Sequence, residues 1–529
     1  MSSRRPSLRP SKLWPRTGVL LTLLALALAL RLVAAIAMPL FSQEAYYWMY
    51  AQHLDWGYFD HPPMVAWVIW LGTALFGDTE WGVRSANLAA MLSASVVLFL
   101  FARQWFSKRA ALVSALSLQV LPIYFLTGLV TTMDGALLLS WAACLAAFSV
   151  AVRTGRAWAW VVAGISMGAA MLSKYTGVFL GVGGLLAVAW HPAWRAQFRR
   201  PWPYVAAAIA VACFAPVVVW NAQHDWASFR FQAAGRFVEP VRWWRSMAVF
   251  PLVWLAVLTP VPLLAGVAVW WRSLRRLARA RPALVLATSF SLPLFLVFLA
   301  NAPRQQVHIN WLLPAFPSLL PAAANHVIAE WRGWRSVTGR IELPPPLSVT
   351  AAGCLLACIV VAVPLAFGWA RFGGVRGLND WRALAQRVDD AVGTLRSETG
   401  REPLVIGFGH YKMASLIAFY RAPLAPPARA SSTTTSGWIL DDIGLSFPYW
   451  TTRERWLGTD CVLVSESPID PASAAWFDRV EVLPSPVLAN GSHSGLAICR
   501  GLRAKPGPPQ IVNRTAAHAA SSHEASRPE

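Results

Sequence analysis

The sequence predicts a mostly α, polytopic membrane fold that carries a small mixed α/β domain near its C-terminal end, and three observations carry that prediction. The 529-residue chain is 56% hydrophobic and only 13% charged, with a mean hydropathy of +0.46, against roughly 25% charged residues in an average soluble domain. Its apolar residues fall in long runs separated by short basic gaps. After about residue 370 the hydropathy drops, and strand-like and helix-like stretches alternate.

A bilayer core takes about 20 apolar residues of helix. On that rule about eleven transmembrane helices are expected, near 17–39, 82–102, 110–127, 134–152, 157–173, 175–191, 202–220, 246–271, 283–300, 309–329 and 347–369. The first is too long, and its flanks are wrong, for a cleaved signal peptide. An odd count puts the termini on opposite sides. The gaps "SSRRPSLRPSKLWPR", "RQWFSKR", "RTGR", "RAQFRR", "RSLRRLARAR" and "RGWRSVTGR" then share one side, which their charge marks as cytoplasmic. The first outer loop, 40–82, has no Lys or Arg but contains Glu44, Asp55, Asp60, Asp78 and Glu80. The expected organisation is therefore a cytoplasmic basic N-terminus over 1–16 and a transmembrane domain over 17–369. An extracytoplasmic α/β domain over 370–505 and a Pro-, Ser- and Ala-rich disordered tail over 506–529 follow. The net charge of +21 does not point to nucleic acid, because the basic residues sit in the gaps that set topology.

Within the first outer loop, "SQEAYYWMYAQHL" reads as a short surface helix with its aromatics at headgroup depth. The Pro pair of "DHPPM" opens a second short apolar helix, "MVAWVIWLGTALFG", re-entrant or interfacial. After residue 400, "PLVIGFG", "MASLIAFY" and "CVLVSE" read as strand, helix and strand. Of six cysteines, Cys144, Cys213, Cys354 and Cys358 lie in spans. Cys461 and Cys499 fall in the outer domain, where pairing is an open alternative to two free thiols. No CxxC or HExxH pattern marks a structural zinc site.

Charge near hydrocarbon costs about 2.5–3.5 kcal/mol per residue on insertion scales, so acids at the mouths of spans need partners or a task. Glu44, Asp60 and Asp134 stand out. The bland alternatives are solvated loop acids for the first two and a helix N-cap for Asp134. Arg31, inside the outer half of the first span, either pairs with an acid such as Glu44 or snorkels to the surface. Arg84, Lys174, Arg304, His308 and Asn310 lie at other outer span ends, where they serve as membrane anchors or form a cationic pocket for a phosphate. Carboxylates able to hold a divalent cation at Asp60 and Glu44, beside cations able to hold phosphate, suggest chemistry on a lipid phosphate at the outer leaflet.

"EAYYW", "YFDHPPMVAW", "WGVRSANL", "LSKYTGVFL", "VVVWNAQHDWASFRFQ" and, more loosely, "GHYKMASLIAFY" resemble bacterial family 39 glycosyltransferases. That family belongs to the GT-C superfamily with the protein O-mannosyltransferases and the lipid A aminoarabinose transferase. The resemblance implies inverting transfer of a sugar from a polyprenyl-phosphate donor to a cell-envelope acceptor, on the outer face of the bacterial inner membrane. It gives catalytic roles to Glu44, Asp60 and Asp134, and places His61, Arg84, Lys174 and the His308–Asn310 stretch near the donor phosphate. The usual Asp before the Glu is Gln43 here. A base would then have to be Glu44 or Asp134, or the acceptor is already an ionised phosphate, and a metal ligand is lost. His224, Asp225 and Arg230 either contact a substrate or sit in a loop packed by Trp226 and Phe229. A transporter or flippase of lipid-linked or small solutes is the alternative class; against it, no inverted repeat is evident and the acids lie in loops.

Overall fold

The structure is a computed structural model that describes residues 17–233, 243–276, 279–304, 307–308, 310–330, 345–367, 381–409, 411–424, 427–484 and 493–513. It is mostly helical with one small sheet. In chain order the helices are α1 (Thr17–Ala37), α2 (Ser42–Gln52), α3 (Met64–Phe76), α4 (Glu80–Arg103), α5 (Lys108–Val120), α6 (Pro122–Leu129), α7 (Asp134–Thr154), α8 (Ala157–Ser173), α9 (Phe179–Trp190), α10 (Trp202–Gln223), α11 (Ala227–Ala233), α12 (Trp243–Leu258), α13 (Pro260–Arg275), α14 (Pro282–Ser289), α15 (Leu292–Asn301), α16 (Ala315–Glu330) and α17 (Pro345–Ala366). The C-terminal part adds α18 (Trp381–Thr399), α19 (Lys412–Arg421), α20 (Pro427–Ser432) and α21 (Pro471–Ala474).

Each expected span overlaps at least one described helix. By length and composition, six helices among the described residues can cross a membrane: Gly18–Ala37, Glu80–Arg103, Asp134–Thr154, Trp202–Gln223, Pro282–Asn301 and Pro346–Ala366. The number rises to eight if two bent pairs each count as a span. One is α5 with α6, bent by 58° at the break before Pro122; the other, Tyr175–Trp190 with Pro192–Arg199, bends by 113°. In both, proline removes an N–H and opens the next helix at its first turn. The stretch 246–271, expected as one span, is two 16-residue helices, α12 and α13. They part at Thr259, whose φ of +63° is one that a β-branched residue rarely takes.

The chain divides into two compact units, one of residues 1–34 and 87–363, the other of residues 35–86 and 364–529. The first outer loop thus belongs with the C-terminal segment rather than with the spans that flank it in sequence. In the first unit α8 packs between α7 and α10, over a core that includes Trp141, Phe148, Trp160 and Phe290.

In the second unit α2 packs against α3 and α19, and α19 against α18. Its six-stranded sheet has the order β2-β1-β3-β5-β4-β6, with β1 (Leu404–Phe408), β2 (Thr434–Ser436), β3 (Cys461–Ser465), β4 (Phe477–Val482), β5 (Gly495–Leu502) and β6 (Gln510–Asn513). β1 runs parallel to β2 and β3, β5 is antiparallel to β3 and β4, and β6 is parallel to β4. The expected strand, helix and strand of this part are β1, α19 and β3. One correction concerns the tail: Gln510–Asn513, inside the stretch expected to be disordered, is a strand paired with β4. Residues 514–529 lie outside the described residues.

Cys461 and Cys499 stand directly opposite each other on β3 and β5, both buried and both free thiols.

Candidate functional site

α2 and α3 form where the loop sequence placed them, but α2 is not a surface helix. Every residue from Glu44 to Ala51 is buried, and Tyr46, Tyr47, Trp48 and Tyr50 are at most 1% exposed. The helix is covered over most of its surface, and the aromatics pack inside the unit: Trp48 lies edge-on to Phe419 of α19 at 5.3 Å, and Tyr46 lies 4.4 Å from Tyr411. α3 does keep an outward apolar face, with Trp70, Leu71, Leu75 and Phe76 exposed.

Glu44 and Arg84 form a closed pair with no exposure. Arg84 Nε donates to Glu44 Oε1 at 2.8 Å and Nη2 to Oε2 at 2.6 Å. Nη1 donates to the carbonyls of Ala35 and Met38, and Nη2 also to that of Pro39. Glu44 Oε2 further accepts from the Phe41 N–H at 3.1 Å, which closes the first turn of α2. All five guanidinium N–H groups are thereby engaged, so in this arrangement Arg84 has none to offer a phosphate, against the sequence expectation. Gln43 is exposed, and its amide donates to Tyr47 Oη at 2.7 Å.

Asp60 is 6% exposed and is held by phenols. Tyr46 Oη donates to its Oδ1 at 3.2 Å and Tyr50 Oη donates to the same oxygen, while Oδ2 lies 3.5 Å from His61 Nε2. The tyrosines sit one helical turn apart, so both hydroxyls leave one face of α2. Burial pushes both phenols well above their usual range, and the charge of Asp60 adds to this. They therefore stay protonated donors across the physiological range. Ser446 backs them: its N–H donates to Tyr46 Oη at 3.1 Å and its hydroxyl to Tyr50 Oη at 3.3 Å. Sequence reasoning missed Tyr46, Tyr50 and Ser446. The i, i+4 tyrosines of "YYWMY" were the available signal, whereas nothing local marks Ser446.

In the first unit Asp134 opens α7. The N-cap position is Met133, so capping does not explain the acid. Its Oδ1 accepts from Lys174 Nζ at 2.9 Å, and its Oδ2 from Asn310 Nδ2 at 3.0 Å and Thr132 Oγ1 at 3.2 Å. Lys174 also donates to the Asn310 carbonyl at 3.2 Å, which accounts for two of its three N–H groups. His308 and Arg304 nearby in sequence are exposed, with His308 5.0 Å from Trp311.

Arg31 is buried and turns to a neutral partner, Gln119 Oε1 at 2.6 Å, with its guanidinium 5.2 Å over Phe125. It neither snorkels nor takes the Glu44 carboxylate, which belongs to Arg84. Phe229 packs on Tyr175 at 5.5 Å and Trp226 on Phe229 at 5.9 Å, as the packing alternative for that loop requires. A divalent cation does not fit the donors at Glu44, whose carboxylate already faces a guanidinium and an N–H. Among the described residues no group of three or more His, Cys, Asp or Glu side chains could hold one.

Residues 60–220 match the family model described as dolichyl-phosphate-mannose-protein mannosyltransferase. The chain is 27% identical over 326 residues to the lipid A galacturonosyltransferase of Rhizobium johnstonii, covering 60% of this chain and 65% of that one. It is 24% identical over 335 residues to the undecaprenyl phosphate-alpha-4-amino-4-deoxy-L-arabinose arabinosyl transferase of Erwinia tasmaniensis, covering 60% and 58%. The matched region thus spans less than two thirds of either relative. The crystal structure of ArnT from Cupriavidus metallidurans bound to undecaprenyl phosphate aligns with a TM-score of 0.59 at 19% identity, over 94% of this chain and 100% of that one.

The family match covers residues 60–220, and the sequence relatives are sugar transferases by name. The chain's fold is that of ArnT, a multi-pass membrane protein with a small C-terminal sheet. Within that fold the acids expected to matter fall into two built clusters, Asp60 with its phenols and Asp134 with Lys174 and Asn310, and one sealed ion pair, Glu44 with Arg84.

Proposed function

We propose that this chain is an inverting GT-C glycosyltransferase that moves a sugar from a polyprenyl-phosphate donor to a cell-envelope acceptor at the outer face of the bacterial inner membrane. Support comes from the relatives, named for transfer to lipid A or from an undecaprenyl phosphate sugar, and from one observation in particular. Asp60 is a buried carboxylate preorganised by two phenols on one oxygen, an arrangement that a merely solvated loop acid does not need.

In this reading Asp60, with His61 beside its other oxygen, receives the proton of an acceptor hydroxyl. The hydroxyl oxygen bonds to the anomeric carbon, and the bond from that carbon to the phosphate oxygen breaks with its electron pair leaving on the polyprenyl phosphate. Within the first unit, Lys174 is held by Asp134 and Asn310 and has the charge to take an anionic group. Glu44 and Arg84 hold the loop in place and do not act on substrate. Because Gln43 replaces an acid and Glu44 is sealed, no step is routed through a metal.

The reading includes the topology expected from charge: eleven crossings, N-terminus cytoplasmic, C-terminal unit extracytoplasmic. Purified protein incubated with labelled polyprenyl-phosphate sugar and an envelope lipid fraction should label the lipid and release polyprenyl phosphate. Asp60→Asn should reduce this by at least about 100-fold, the scale of a lost general base. Unchanged transfer in that variant would refute the role of Asp60, and solute movement across sealed vesicles without a glycosidic product would indicate a transporter instead.

A further inference from the structure

We propose that Ser446, in the C-terminal segment, is a positioning residue that sets Asp60 through two parallel hydrogen-bond relays, and this rests on the reading of Asp60 given above. One relay runs from the Ser446 N–H to Tyr46 Oη at 3.1 Å and on to Asp60 Oδ1 at 3.2 Å. The other runs from the Ser446 hydroxyl to Tyr50 Oη at 3.3 Å and on to the same Oδ1. The hydroxyl oxygen of Ser446 also accepts from the N–H of Phe59, the residue before Asp60, at 3.3 Å. One residue therefore fixes both phenols and the backbone that carries the carboxylate.

The directions are consistent throughout. Each phenol accepts from Ser446 and donates to Asp60, and chained donors of this kind polarise one another in a buried setting. Ser446 is 1% exposed, Tyr46 1% and Tyr50 0%, so water cannot replace a missing link at low cost.

The backbone before Ser446 is itself held in an unfavourable state. Leu445 has φ +48°, in the left-handed region that a leucine rarely adopts. Such a conformation persists where the surroundings over-determine it, and here Phe447, 1% exposed, stacks on Tyr46 at 6.3 Å directly after the serine. The strained turn aims both the N–H and the hydroxyl of Ser446 at α2. The C-terminal segment in this account completes the carboxylate that the first loop supplies, and a chain lacking it would keep Asp60 without its orientation.

The test measures kcat and KM of full-length Ser446→Ala, Ser446→Cys, Tyr50→Phe and the double variant Ser446→Ala/Tyr50→Phe, with Asp60→Asn as reference. Ser446→Cys is nearly isosteric and covers the case in which the alanine variant fails to fold. Losing the hydroxyl relay should lower kcat about tenfold, the size of one buried hydrogen bond, with KM unchanged. Because Ser446 acts through Tyr50, the double variant should lose no more than Tyr50→Phe alone, a non-additivity that a general loss of stability would not give. Wild-type kcat in Ser446→Cys, or additive losses in the double variant, would overturn the proposal. If Asp60→Asn itself retains full transfer, it is the reading of Asp60 that fails, and the two failures are told apart by that reference.

Discussion

Arg84 spends all five of its N–H groups on Glu44 and on three carbonyls of the Ala35–Pro39 turn, so its replacement removes a buried charge partner and uncovers several acceptors at once. Arg84→Ala should destabilise the protein by about 3–5 kcal/mol, the cost of leaving a buried partner unpaired, and Arg84→Lys should recover only part because a single ammonium cannot reproduce the fork. Thermal unfolding in detergent measures both; a melting temperature within about 1 °C of wild type, roughly the shift that 1 kcal/mol gives in a chain of this size, would show the pair to be dispensable. The buried thiols of β3 and β5 give a second residue-level outcome. Burial pushes the Cys461 thiol up to about 12 and the Cys499 thiol well above its ordinary range. Only the thiolate alkylates, so at pH 8 both should resist iodoacetamide until the protein is unfolded. Rapid labelling of either in the native protein would contradict their placement. The sequence made Glu44, Asp60 and Asp134 visible because isolated acids beside apolar runs are costly. Their partners were not visible, because Arg31 and Arg84 look alike until the fold shows which one reaches a carboxylate.

Among elements, the pair α8 and α10 shows a pattern that was present in the sequence and passed over. Gly164 and Gly168, in "GISMG", face Ala206, Ala210 and Cys213; a Cβ at Gly164 would stand 2.9 Å from Ala206 Cα, and one at Gly168 would meet Cys213. Small residues four apart let two helix backbones approach closely in a membrane, where packing rather than water drives association. Gly164→Ala should therefore cost about 1–3 kcal/mol through overpacking, whereas the same change at Gly353, which has nothing within 4 Å, should cost nothing measurable. Comparing folded yield and melting temperature of the two variants tests this; equal behaviour would mean that the helices are not in close contact. The long apolar helices were legible in the sequence, though not the breaks at Pro122 and Thr259, and so were β1, α19 and β3. What was not legible was burial of α2, since Tyr and Trp at helical spacing suit both a headgroup belt and a core, and only the covering by α19 decides between them.

On the scale of the whole chain, orientation follows from counting, and the count turns on 243–275. If α12 and α13 were two separate crossings, "RAQFRR" at 195–200 and "RSLRRLARAR" at 272–281 would lie on opposite sides, because α10, α12 and α13 would make three crossings between them. Basic gaps gather on the cytoplasmic side, which favours α12 and α13 together contributing one crossing, broken at Thr259 and its flanking prolines. Each has 16 residues, about 24 Å at 1.5 Å per residue, short of the roughly 30 Å core. In the proposed topology, with one crossing there, the gap after α13 is cytoplasmic and the second unit's sheet extracytoplasmic. Single cysteines introduced into a variant without native cysteines should then separate cleanly in intact cells. Arg279→Cys should be blocked from a membrane-impermeant maleimide, and Glu454→Cys, near the sheet, should react. Labelling of Arg279→Cys together with protection of Glu454→Cys would reverse the assignment and place the second unit, its first-loop residues and Ser446 alike, on the cytoplasmic side.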